Sequence, residues 1–411
     1  MPSLIRLEIE RLFRAGKIRF LVCTSTLIEG VNLSCRTIVL RGPRKGMDHP
    51  MEPHDFWNLA GRAGRWGDEF QGNIICIDPE DKNAWPTGVP ARARYPIKRE
   101  SDAVLELGDG MANYLEKRVS KDLNELKDSD QYEQVGAYLL TTFLRLGSIS
   151  AASLSKRHDA TSIARLDSVL GALADGLEIS ASMAARHPGV SAVGLQRLLL
   201  AFRAYQGDIE NLLPADVASQ DSLDRIATIM LRINRHLFPA FSPDSRVRLY
   251  ALIVVRWLEG QSLSKMIRKN IEWHEEVNRP FKLPALIRST MELVEQVARF
   301  KAPKYLSAYI DVLHLHLRQV GRSDLIAEGL DIGTQLEFGV SSKTLFSLME
   351  LGLSRMSAVA LYEKISRDDL DKSECVAWVI ERQNQLGAMD IPAIIVREVR
   401  ERILINKPRE S

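Results

Sequence analysis

Apolar positions recur at helical spacing from the start of the chain. Ile5, Ile9 and Leu12/Phe13 fall on one face of residues 3–14, which predicts an amphipathic helix that Gly16 ends. Three short apolar runs follow: IRFLVC at 18–23, TIVL at 37–40 and NIICID at 73–78. Each is bounded by polar turn residues, the pattern of a buried strand. A polar turn segment, TSTLIEGVN at 24–32, follows the first, and a helix is expected from about Pro53 to Ala63. Strands and a helix alternating at this spacing predict an α/β unit with a parallel sheet. Three strands and one leading helix are few for such a sheet, so an open edge and an uncovered face are expected.

Beyond residue 100 the pattern becomes helical almost throughout. Residues 79–99, with Pro79, Pro86, Pro90, Pro96 and Arg92, Arg94, Lys98, Arg99, predict an extended basic connection between domains. It can be a solvated linker or a strap along a phosphate backbone. Long helices are expected at 246–258 and 284–299. The apolar stretches 193–202 and 249–255 are shorter than the ~20 residues of a membrane span and read as buried helices. Near the end, SSKTLFSLMELGLSRMSAVALYEKI at 341–365 predicts two helices joined at Leu351-Gly352-Leu353.

Composition narrows this picture little. The chain of 411 residues is long enough for two to four domains, and 45% hydrophobic with 26% charged residues describes an ordinary globular protein. A net charge of +2 neither demands nor excludes a nucleic-acid partner, because a local basic stripe can hide inside a balanced total. The four cysteines have no CxxC spacing. Three lie in strand-like runs where buried, reduced thiols are expected, which points to the cytoplasm and no structural zinc. The eight histidines form no ligand framework, so no metal site is assigned.

Two segments carry candidate chemistry. Thr24, Ser25, Gly30 and Asn32 follow an expected strand directly, the place where α/β sheets present loops to ligands, and hydroxyls and backbone N–H groups there can hold phosphate oxygens. In NLAGRAGRWGDEFQG at 58–72, Gly61, Gly64 and Gly67 bring the backbone close to something, and Arg62 and Arg65 share one face of a helix end. Two guanidiniums presented together suit a polyphosphate; they can equally pair with Asp68 or Glu69 around an ordinary helix terminus.

Taken together, TSTLIEGVN and AGRAGRWG resemble motifs V and VI of superfamily 2 DEAD/DEAH-box helicases, most closely the Ski2-like branch. The resemblance implies a truncated RecA-like helicase C-terminal domain: α/β followed by mostly α, with winged-helix-like and helical ratchet-like regions. It implies a partial second RecA-like domain and basic linker at 1–99, a winged-helix-like helical domain at 100–189, a ratchet-like domain at 190–325, and a C-terminal helical region with a helix-hairpin-helix-like element at 326–411.

By the same resemblance Thr24 and Ser25 contact backbone phosphate, Gly30 lies near the nucleotide, and Arg62 and Arg65 are arginine fingers, with Asn58 and Gly61 beside them. Asn58 stands where the family usually has Gln. Arg256, Lys265, Arg268 and Lys269 can contact the strand or form a solvated face. Trp257 is expected in the core rather than as a base-stacking platform. Arg355 is the side chain best placed for a phosphate contact near the 351–353 turn, whose backbone N–H groups can also bind phosphate. The implied ligands are ATP and Mg²⁺, yet no GxxxxGK[ST] and no DExH or DExD segment in suitable context occurs in this sequence. The expectation is therefore a fragment whose ATP site is incomplete, acting on DNA or RNA, with a separate N-terminal helicase half or a defence-system protein as further partners and no membrane. A non-catalytic nucleic-acid-binding or scaffold protein derived from a helicase is the alternative.

Overall fold

The computed structural model describes residues 3–23, 35–44, 49–64, 72–93, 99–106, 109–120, 130–326 and 332–405. The chain divides into two compact units, Met1–Lys98 and Arg99–Ser411.

The first unit contains helix α1 (Ser3–Arg14), strand β1 (Thr37–Leu40), helix α2 (Pro53–Ala60) and strand β2 (Asn73–Cys76). β1 and β2 pair in parallel, with Thr37 opposite Asn73 and Leu40 opposite Cys76. This is the expected strand–helix–strand unit. The period of two decides which side chains are buried. Leu40 and Cys76 face a small core of Met51, Phe56, Ala60 and Trp85, while the registered pair Val39 and Ile75 points the other way and is exposed.

Three expectations change here. Residues 18–23 form no strand: a strand is defined by its ladder, and this run pairs with no neighbour among the described residues. Its Phe20 and Val22 are 90% and 98% exposed, so hydrophobicity without a partner left the segment extended but unpaired. Cys23 in that run is accordingly exposed rather than buried, and Cys35 and Cys76 are half-buried. The stretch after β2 folds back on its own unit rather than extending away. Asp78 turns the chain at φ 49°, Trp85 is buried with its indole N–H donating to Ile77 O at 2.9 Å, and Trp57 Nε1 donates to Ala91 O at 2.9 Å.

The second unit, over its described residues, is helical. Its helices are α3 (Glu100–Leu105), α4 (Gly110–Ser120), α5 (Asp130–Leu146), α6 (Ala160–Ala174), α7 (Ala181–Arg186), α8 (Ala192–Arg203) and α9 (Ser222–Arg232). After them come α10 (Val247–Leu258), α11 (Leu263–Glu276), α12 (Leu283–Leu293), α13 (Ala302–Gln319) and α14 (Ile332–Phe338). The last four are α15 (Lys343–Glu350), α16 (Arg355–Ile365), α17 (Lys372–Glu381) and α18 (Ala393–Val399).

One apolar core runs from Val104 to Leu336, so α3 through α14 share a single interior. The run expected as a helix at 284–299 is α12 followed by a π-helical segment, Val294–Lys301, that leads into α13. Pro303 in the first turn of α13 has no N–H to give an i→i−4 bond, which favours the wider turn before it. A buried ion pair cross-links the unit. Arg118 of α4 grips Glu133 of α5 at 2.9 and 3.0 Å and donates to Leu237 O at 2.8 Å, while Tyr114 donates to the same carboxylate. No helix among the described residues is long and apolar enough to cross a membrane.

Candidate functional site

The arginine-bearing turn is held by backbone. Helix α2 starts at Pro53, whose missing N–H is harmless in a first turn, and buries Phe56 edge-on against Trp57 and Trp85 at 5.3 and 6.2 Å between ring centres. The helix ends at Ala60 with Gly61 as its cap, so Arg62 lies in the turn beyond it rather than on a helical face. Arg62 N and Ala63 N donate back to Leu59 O and Ala60 O, each at 3.0 Å. The carbonyl of Arg62 then accepts from Cys35 N at 3.3 Å, and Gly64 N donates to Cys35 O at 3.0 Å. On the opposite side Gly72 lies so close that an added Cβ would stand 2.3 Å from the Ala63 carbonyl carbon. Residues 62–64 are thus wedged between the segments that lead into β1 and β2, and only glycine fits at 72.

Asn58 is exposed on α2, Gly61 is exposed at its end, and the Arg62 side chain is half-buried. Thr24, Ser25, Gly30 and Arg65 lie outside the described residues, as do Glu29 and Asn32. Whether the two arginines converge is therefore carried by the sequence pattern alone.

In the helical unit the predicted contacts separate. Arg268 is exposed on α11. Arg355 is not presented to solvent: its guanidinium lies 3.6 Å over the Trp257 ring and donates to Trp257 O, Gly339 O and Gln261 O at 2.9, 3.0 and 3.1 Å. Trp257 is itself 7% exposed, a core residue as expected, and its indole N–H donates to Leu336 O at 3.2 Å. Arg355 thereby caps the carboxyl end of α10, where unpaired carbonyls and the negative end of the helix dipole favour a cation. The positioning expected from sequence is reversed because the side chain turns inward across α10 instead of outward from the turn.

The helix–turn–helix at 341–365 forms as expected, as α15 and α16 around Gly352 at φ 86°. Its helix N-terminus, however, is already occupied. The Glu398 carboxylate accepts from Ser354 N at 3.1 Å, from Ser354 Oγ at 2.8 Å and from the Ser357 hydroxyl. An internal anion stands where a phosphate would be expected. Sequence spacing contained no signal for this, since Glu398 lies 44 residues from Ser354.

No group of three or more His, Cys, Asp or Glu side chains suited to a metal occurs among the described residues. His316 is buried at 5% exposure against Phe202, and burial pushes its pKa down, so it is a neutral core histidine. Without a phosphate-cradling loop or an acidic Mg²⁺ motif in the sequence, the residues present fit at most the cationic side of a nucleotide site, and no hydrolytic step is derived from them.

Residues 1–67 match the helicase conserved C-terminal domain. Among curated proteins, the chain is 42% identical over 80 residues to anti-bacteriophage protein B of Escherichia coli, spanning 19% of this chain and 11% of that protein. It is 33% identical over 85 residues to Hachiman protein HamB of Bacillus cereus, 21% of this chain and 8% of the other. It is 36% identical over 86 residues to the ATP-dependent DNA helicase Hel308 of Aeropyrum pernix, 20% and 12% respectively. The chain is distantly homologous to superfamily 2 helicases. The matched segments amount to about a tenth of the length of these three relatives.

Proposed function

We propose that this chain is the C-terminal portion of an ATP-dependent DNA or RNA helicase of the Ski2-like branch. In this reading Thr24 and Ser25 hold the nucleic-acid backbone, Gly30, Asn58 and Gly61 border the nucleotide, and Arg62 and Arg65 reach its γ-phosphate. ATP and Mg²⁺ are held mainly by a first RecA-like domain carried on another polypeptide or another part of the protein. Arg268 contributes to strand binding from the helical unit. Arg355, committed to three carbonyls, is left out of the interface.

The observation that supports this most is the helicase C-terminal match over residues 1–67, which contains both quoted motifs, on a parallel β1–α2–β2 unit that wedges Arg62 in a backbone-fixed turn. A fixed backbone suits a group that must stabilise charge without reorganising. The names of the Escherichia coli and Bacillus cereus relatives add antiphage defence as the proposed setting and a defence-system protein as a proposed partner.

The purified chain, with labelled single-stranded DNA or RNA, ATP and Mg²⁺ across a salt series, tests the reading. Salt-sensitive strand binding, with no hydrolysis beyond that of an Arg62→Ala/Arg65→Ala variant, is the expected result. Hydrolysis by the isolated chain that this variant abolishes would overturn the incomplete ATP site. Absence of strand binding at any salt would overturn the helicase reading in favour of a scaffold.

A further inference from the structure

The corner between α11 and α12 is unusual for its unpaired charge. Lys265, Arg268, Lys269, Arg279, Lys282 and Arg288 lie on these two helices and their turn, and none has an ion-pair partner among the described residues. Elsewhere in the same unit Arg157, Arg203, Arg248 and Arg299 are each matched to a carboxylate. Three carboxylates, Glu272, Glu275 and Glu276, share the corner, so six cations still leave it positive. Within this field Trp273 is 46% exposed, and Val277 and Leu283 beside it are 51% and 48% exposed.

The backbone that presents Trp273 is rigid. At the end of α11, Arg279 N donates to His274 O at 2.9 Å and Asn278 N to Glu275 O at 3.1 Å, with Asn278 at φ 50°. That is a closed C-terminal cap with asparagine in the left-handed position. Asn270 Nδ2 donates to Thr290 Oγ1 at 2.8 Å and ties α11 to α12. His274 Nδ1 donates to Asn270 O at 2.8 Å, which fixes its ring. The indole then stands edge-on against that ring at 4.8 Å, and His274 against Phe281 at 5.5 Å. Along the helix, Lys265, Lys269, Trp273 and Val277 follow one another at steps of four residues, roughly 6 Å apart on one stripe.

A half-exposed indole on a fixed support, in line with unpaired lysines, fits a ligand that is flat and apolar at one point and anionic at the next. We propose that this stripe binds single-stranded nucleic acid, with one base stacked on Trp273 and backbone phosphates on Lys265 and Lys269, and with Arg279 and Lys282 adding charge at the turn. This rests on the nucleic-acid-binding reading above but adds a stacking platform to it. Aromatic stacking tolerates any base, so the site discriminates against unstacked or base-free polymer rather than between sequences.

The full chain is tested by fluorescence anisotropy with a labelled oligo(dT) strand and an abasic strand of equal length. Trp273→Ala should weaken oligo(dT) binding about 5- to 100-fold and leave the abasic strand unchanged. Lys265→Ala/Lys269→Ala should weaken both and lower the salt slope by about 1.4. Both variants are on the surface, and unchanged thermal midpoints confirm folding. If Trp273→Ala has no effect, or weakens both strands alike, while the lysine variant still lowers binding, the stacking proposal falls and the nucleic-acid reading stands. If the wild-type chain binds neither strand, both fall. Binding to phosphatidylserine vesicles that depends on Trp273, without Trp273-dependent strand binding, assigns the surface to lipid and overturns the proposal.

Discussion

Replacing Arg355 by alanine should destabilise the helical unit strongly while sparing strand binding by the folded protein. The wild-type guanidinium satisfies carbonyls of Trp257, Gly339 and Gln261 at 2.9–3.1 Å, and all three residues are buried. Each hydrogen bond to a charged group contributes about 1.5–3 kcal/mol, and stacking over a desolvated indole adds about 2. Against this stands the cost of burying the guanidinium, which has no carboxylate at hydrogen-bond distance. Truncation removes the cation and its burial cost together, but strands three buried carbonyls and opens a cavity beside Trp257. The net loss should be about 3–5 kcal/mol. A domain of this size loses roughly 2 °C per kcal/mol, so the thermal midpoint should fall by about 6–10 °C. Arg355→Lys keeps the charge but not the planar fork and should recover less than half. Urea titration followed by far-ultraviolet circular dichroism, which reports mainly the helical unit, measures the change. A loss under about 1 kcal/mol, or a drop in nucleic-acid affinity with stability intact, would refute the inward assignment and return Arg355 to the surface.

Three further outcomes follow from named contacts. Glu133→Gln should cost about 3–5 kcal/mol because Arg118 stays buried without its anion, whereas Arg118→Met/Glu133→Leu should restore much of the loss in the same urea titration. Asp102 is held down at about 2, chiefly by its hydrogen bonds to Arg157 at 2.9 Å and then by His158 at 3.1 Å. Its stabilising contribution is therefore complete above the ordinary carboxylate range and is lost as pH falls from about 4 to about 2; Asp102→Asn should flatten stability against pH in that window. Gly339→Ala should lower the thermal midpoint or abolish soluble expression, since φ is 70° and an added Cβ would stand 2.2 Å from the Trp257 indole. The strain and overpacking together amount to about 2–5 kcal/mol, and a melting curve within 1 °C of wild type would contradict the packing described.

Local pattern was sufficient where local physics decides. The amphipathic run at 3–14, the apolar runs at 37–40 and 73–76, and the helix–glycine–helix signals at Gly260 and Gly352 all formed as elements, because periodicity and a residue tolerant of positive φ are properties of a few neighbouring positions. The motifs that point to a helicase are also short and contiguous, which is why they were legible without a fold.

What the sequence by itself determined is thus the class of elements, their order, and the two segments that carry the chemistry. The tertiary structure decided which of them find partners. Residues 18–23 have the composition of a strand but no ladder, Trp85 turns a proline-rich stretch back onto its own unit, Arg355 serves carbonyls from three other segments, and Glu398 fills the helix N-terminus at Ser354. Each of these depends on a contact far along the chain. A charged side chain reads identically in sequence whether it meets a phosphate, a carboxylate or a row of carbonyls. Only the positions of those distant acceptors distinguish the three, and they are set by packing.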